Sequence, residues 1–168
     1  MTRRLFVRIA LGFVVIAAAV LAIVIATRHP SHATTATTPD LSDPLVVDFR
    51  ATERSCISSF NDALARQRAN TIDEVGLAAA IESEVLAPWQ SLATRLASAT
   101  PSARNAELYA ALRHYVEARQ TAWQAYVAGL RAGSDDASRP HYDAYHAKDA
   151  EADTDAREIG RLFRSANP

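Results

Sequence analysis

Eighteen consecutive residues, Ile9 to Ala26, carry no charge and no strongly polar group, and Arg3, Arg4 and Arg8 precede them. A bilayer core needs about 20 apolar residues in helical form, and Leu5, Phe6 and Val7 extend the run to that length. The pattern predicts a transmembrane helix within residues 5–27, behind a short Arg-rich cytoplasmic tip. Lys and Arg stay on the cytoplasmic side, so three arginines before the run against Arg28 after it orient the N-terminus inward. Everything from about His29 onward is then exported. The competing reading is a cleaved secretory signal, with Ser31-His32-Ala33 or Val24-Ile25-Ala26 as small-residue cleavage positions. An apolar stretch longer than the usual 7–15 residues of a signal favours the retained anchor. Cys56 lies too far past the run to serve as a lipoprotein cysteine.

Richness in Ala and Arg with a single Lys resembles the composition of high-GC bacterial proteins, and the expected location is the bacterial inner membrane, single-pass, with the C-terminal domain extracytoplasmic. The part from His29 onward carries 14 basic and 19 acidic residues. Such a mildly acidic domain has no electrostatic footprint for nucleic acid, and no nucleic-acid partner is expected. One cysteine precludes an intramolecular disulfide, a thiol redox pair and c-type haem attachment. No cofactor is implied.

Residues 28–42, rich in Thr, Ser and Pro with almost nothing to bury, read as a flexible linker to a domain over residues 43–166. Asp43-Pro44 offers a cap followed by proline, and Leu45, Phe49, Cys56, Phe60, Ala63 and Leu64 recur at helical spacing to about Ala69. Asn70 can take the left-handed conformation that ends this helix, and Thr71-Ile72-Asp73-Glu74 has capping-box spacing for the next. The second helix carries Val75, Ala78, Val85, Leu86, Trp89, Leu92 and Leu96, with Pro88 expected to kink it. Thr100-Pro101 predicts the start of a third, striped by Tyr109, Leu112, Val116, Trp123, Val127 and Leu130 and closed at Gly133. A fourth is expected from Ser138 or Pro140 to Arg164, with Tyr145, Ala152, Ala156, Ile159 and Phe163 on its stripe.

No run of β-branched residues with alternating polarity occurs, so the fold class is all-α. Long helices joined by short turns must fold back on one another, which predicts an antiparallel up-down-up-down four-helix bundle. Turns near Asn70 and Thr100 place Cys56 beside Val85, Trp89 beside Leu112, and Glu82 beside Arg119. At 100° per residue Glu82 falls among Ala78, Ala79, Val85, Leu86 and Trp89, and Arg119 sits near Val116 and Trp123. Their structural role would be an ion pair that fixes helix register. Their functional role would be an internal polar site for a small ligand, or a carboxylate acting as general acid or base.

The other polar groupings point less far. His141, Tyr142, Tyr145 and His146 open the fourth helix, but five positions separate the histidines, a poor spacing for one metal, and no metal site is expected. Asp149, Glu151, Asp153, Asp155 and Glu158 spread over several faces of a helix and read as a solvated flank. Cys56 on the first stripe reads as a small buried hydrophobe. No GxGxxG, P-loop, GxSxG or SxxK segment is present.

Phe60-Asn61-Asp62-Ala63-Leu64, Ile81-Glu82 and Val85-Leu86-Ala87-Pro88-Trp89 resemble helical extracytoplasmic regions that accompany some bacterial rhomboid-family membrane proteins. The resemblance covers about a third of the chain and implies an accessory helical domain. It carries over no protease residue, since there is neither a GxSG segment nor a set of membrane helices. The resulting expectation is a membrane-anchored, non-enzymatic interaction or scaffolding module with a protein partner. The alternative is a small-ligand-binding or sensor bundle with its polar site at Glu82 and Arg119.

Overall fold

A computed structural model describes residues 38–166, and the expected membrane helix and most of the expected linker lie outside them. Among the described residues no helix is long and apolar enough to cross a membrane. The described part is an all-helical bundle of four limbs: α1 (Pro44–Arg68), a limb made of α2 (Glu74–Ile81) and α3 (Ala87–Ser98), α4 (Ala106–Arg131) and α5 (Asp135–Ala166). The first two limbs run in opposite directions. Asp48 pairs with Arg95 near one end, the Cys56 thiol donates to the Val85 carbonyl at 3.6 Å midway, and Arg66 pairs with Glu84 at 2.8 Å toward the other. The expected neighbourhood of Cys56 and Val85 is thus present.

Between α2 and α3 the helix widens into a π turn, Glu82–Leu86, and two properties of the sequence account for it. Pro88 has no N–H to give the Glu84 carbonyl, and the turn is closed instead by Ala87 N–H reaching back five residues to the Glu82 carbonyl. In addition, the buried residues Leu77, Ile81, Val85 and Trp89 recur every four positions. In a plain α-helix that spacing drifts by about 40° per step, or about 120° over three, and one inserted residue cancels about 100° of it. The limb keeps a single buried face through the proline. Everything N-terminal to the turn is rotated relative to a plain α-helical wheel, and that rotation governs where Glu82 points.

Element boundaries differ from the expected ones where side chains compete for caps. Asp73, not Thr71, caps α2 by accepting from Gly76 N–H at 2.8 Å, while Thr71 Oγ1 donates to the Arg66 carbonyl and helps close α1. Asn70 does take the left-handed conformation, with φ 56°. The third limb starts at Ala106 instead of Thr100, after a turn in which Asn105 N–H bonds to the Ser102 carbonyl. α5 begins at Asp135, earlier than expected: Ser134 Oγ accepts from Ala137 N–H, and the carbonyl that Pro140 leaves without a donor belongs to Asp136, an exposed residue at the helix start.

The core combines aliphatic and aromatic side chains from all four limbs. Phe49, Trp89 and Tyr115 pack edge to face with ring centroids 5.6–6.2 Å apart. A second aromatic group joins Phe60, Trp123, Tyr126 and Tyr145, with Phe60 and Trp123 centroids 4.6 Å apart. α4 packs most extensively on α5. Small buried residues permit this, Ala118, Ala122 and Gly129 on α4 against Ala152 on α5. At Gly129 the Tyr142 ring lies where a Cβ would sit, 2.7 Å from its Cε1.

Candidate functional site

Glu82 and Arg119, expected to face each other, are held by different partners. Both carboxylate oxygens of Glu82 accept from Arg131, each at 2.6 Å, and this pair is substantially exposed. The π turn rotates Glu82 off the buried face. The longer loop before Ala106 shifts the neighbouring limb, so that Glu82 meets the far end of α4, twelve residues beyond Arg119. The internal site expected from this pair is therefore not assembled, and the correction follows from helical phase and register.

Arg119 is nearly buried, its side chain 11% exposed, and its nitrogens are used elsewhere. Nε donates to the Tyr115 hydroxyl at 3.2 Å, one terminal nitrogen donates to Asp149, and the other lies 3.4 Å from Asp153. Its guanidinium carbon stands 5.3 Å from the Tyr115 ring centroid, a cation–π placement. The Tyr115 hydroxyl in turn donates to Glu53 on α1 at 2.6 Å. The result is a polar chain across three limbs, Glu53–Tyr115–Arg119–Asp149/Asp153, seated beside the aromatic core.

Electrostatics follow from burial. Loss of solvent raises the Asp149 carboxyl above the ordinary aspartate range, with Asp153 adding to the rise and Arg119 opposing it. Burial works against the charge on Arg119, but Tyr115 and the two aspartates outweigh it and hold the guanidinium protonated. Burial also raises the Tyr115 phenol, which stays a hydrogen-bond donor to Glu53. One nearly buried cation thus bridges the buried Asp149 and the partly exposed Asp153, an arrangement that ties α4 to α5 and leaves no Arg119 nitrogen without an acceptor.

Sequence reasoning passed over Asp149 because it treated the acidic residues of α5 as one solvated flank. The available signal was phase: Asp149 falls four residues after Tyr145 and three before Ala152, in line with the buried residues Ile159 and Leu162. A carboxylate in a buried stripe requires a buried partner.

A second polar knot was equally hidden. Asn105, only 1% exposed, accepts from Asp40 N–H at 2.7 Å and donates to the Asp40 carbonyl at 3.2 Å and to Asp43 at 3.0 Å. Asp43 also accepts from Tyr109 hydroxyl at 2.7 Å and from Leu45 N–H at 3.0 Å. Arg104 Nε donates to the Thr38 carbonyl. Residues 38–42, expected as flexible linker, are thereby fixed across the loop between α3 and α4. Burial opposes the charge on Asp43, yet the hydrogen bonds from Tyr109, Asn105 and the backbone prevail and hold its carboxyl below the ordinary value. Tyr109 is pushed up to about 12 by burial and by Asp43.

No family model, no curated protein and no solved structure matches this chain. Cys56 is buried, and burial together with Glu53 pushes its thiol up to about 12, far from the thiolate that a nucleophile requires. His141 and His146 are exposed, Tyr145 is buried, and the Tyr142 ring lies tilted against Tyr126 with centroids 5.7 Å apart. Among the described residues, no group of three or more His, Cys, Asp or Glu side chains is placed to hold a metal ion. A surface concavity of about 540 Å³ at the α1–α2 turn is lined by Asn70, Thr71, Ile72, Asp73 and Gly76, none of which belongs to the buried polar chain.

Proposed function

We propose that this chain is a membrane-anchored, extracytoplasmic helical module that docks or scaffolds a protein partner. The observation that carries the reading is the mutual engagement of the polar groups that were candidates for an internal site. Arg119, the nearly buried cation best suited to hold an anionic small molecule, gives its nitrogens to Tyr115, Asp149 and Asp153, and the exposed Glu82 carboxylate is bound by Arg131. Polarity spent on joining the limbs supports a domain that works through its outer surface. The apolar run Ile9–Ala26 behind three arginines supports anchoring with the domain exported. The resemblance to accessory domains of rhomboid-family membrane proteins accords with this role.

Crosslinking of the full chain in membranes, with identification of what becomes attached, tests the reading. A reporter that is active only outside the cytoplasm, fused after Pro168, should work, and one partner should be captured reproducibly. Capture should persist in the variant Arg119→Met/Asp149→Leu, which removes the internal charges. A folded double variant that loses a bound small molecule together with its partner would instead make the interior a ligand site. A mature N-terminus at Thr27 or Thr34 would refute the retained anchor.

A further inference from the structure

The two ends of the described bundle differ in charge. Residues 38–50, 95–113 and 157–166 come together at one end, as the contacts of Arg104 with Thr38, Arg161 with Glu107, and Arg50 with the Phe163 ring establish. These segments contain seven arginines against five carboxylates. Residues 62–84 and 131–143, joined at the other end through Arg66–Glu84 and Arg131–Glu82, contain four arginines against eight carboxylates. At the first end Arg104, Arg157 and Arg164 are exposed, and none forms an ion pair with a carboxylate among the described residues.

The chain from the apolar run enters the domain at this same end, at Thr38, whose carbonyl is fixed by Arg104.

We propose that the arginine-bearing end, with Arg104, Arg157 and Arg164 outward, docks on anionic phospholipid headgroups. This rests on the reading that residues 9–26 anchor the chain. Arginine guanidinium pairs with phosphate in a bidentate manner, and the carboxylates at the opposite end are repelled by the same surface. Docking would present the acidic end, with the α1–α2 and α4–α5 turns, to a protein partner.

The test places the full chain in lipid nanodiscs with an energy-transfer acceptor on the headgroups. A donor is attached at Ala103→Cys, beside Arg104, or at Ala69→Cys, at the opposite end. The native Cys56 is buried and does not compete for label. Transfer should be high from position 103 in discs containing phosphatidylglycerol, lower in pure phosphatidylcholine or high salt, and low from position 69 throughout. Arg157→Gln and Arg164→Gln, which leave the Thr38 contact intact, should each reduce the docked-to-undocked ratio about fivefold. Equal transfer from the two positions, or indifference to anionic lipid, overturns the docking surface while the anchor stands. A chain that fails to co-elute with the discs overturns the anchor itself, and the docking proposal with it.

Discussion

Replacing Arg119 with methionine should destabilise the domain by about 3–5 kcal/mol, because it strands a buried carboxylate. The Asp149 side chain is 9% exposed and the Arg119 side chain 11%, so water can replace little of what is lost. Asp153, at 36%, can rehydrate, and Tyr115 keeps its bond to Glu53; neither adds greatly to the cost. Asp149→Leu alone should cost less, since Arg119 retains Asp153 and Tyr115. The double change Arg119→Met/Asp149→Leu exchanges the charges for apolar groups of similar size and should return stability to within about 1 kcal/mol of the parent, or exceed it. The coupling energy is then about 3 kcal/mol or more, well beyond the few tenths expected of independent sites. A domain of this size has about 5–15 kcal/mol in total, so the single variant loses a large share of it. Denaturant unfolding of the full chain in detergent, followed by the fluorescence of Trp89 and Trp123 and by far-ultraviolet circular dichroism, gives these values. An Arg119→Met variant within about 1 kcal/mol of the parent, or a double variant as unstable as the single one, would refute the argument.

Asp43→Asn should cost about 2–3 kcal/mol near neutral pH, because an amide replaces a carboxylate that accepts from Tyr109, Asn105 and Leu45. Since the folded pKa lies below the ordinary 3.8, the stabilisation is present above that value and lost as the pH falls through the folded pKa. The gap between parent and variant in denaturant titrations should therefore narrow as the pH is taken below 3.8, and a constant gap would contradict the assignment. Gly129→Ala should destabilise by about 1 kcal/mol net, an overpacking cost of about 1–3 kcal/mol against the Tyr142 ring offset by about 1 kcal/mol of helix propensity. Adding Tyr142→Ala should remove the overpacking term, leaving Gly129→Ala no longer unfavourable in that background; a single variant that is unchanged or more stable would remove the close contact from the account.

The sequence alone determined the helical class and most of the limbs, because periodic burial and backbone stereochemistry are local. Phe49, Cys56, Phe60 and Ala63 recur at a period only a helix satisfies, and Asp43-Pro44, Asn70 and Gly133 mark ends through their own caps and dihedral preferences. Even the contact of Cys56 with Val85 followed from counting residues about a turn. The polar partnerships did not follow, because each depends on rotation and axial shift accumulated along a limb. A single extra residue in the π turn rotates Glu82 by about 100°, and a few more residues before Ala106 move its partner from Arg119 to Arg131. Asp149 and Asp153 became partners of Arg119 only when α4 and α5 were laid together. Asn105 fixed Asp40 and Asp43 across more than sixty residues of chain. Local pattern sets which face of a helix is buried, whereas a charge finds its counterpart only through the summed geometry of everything between them.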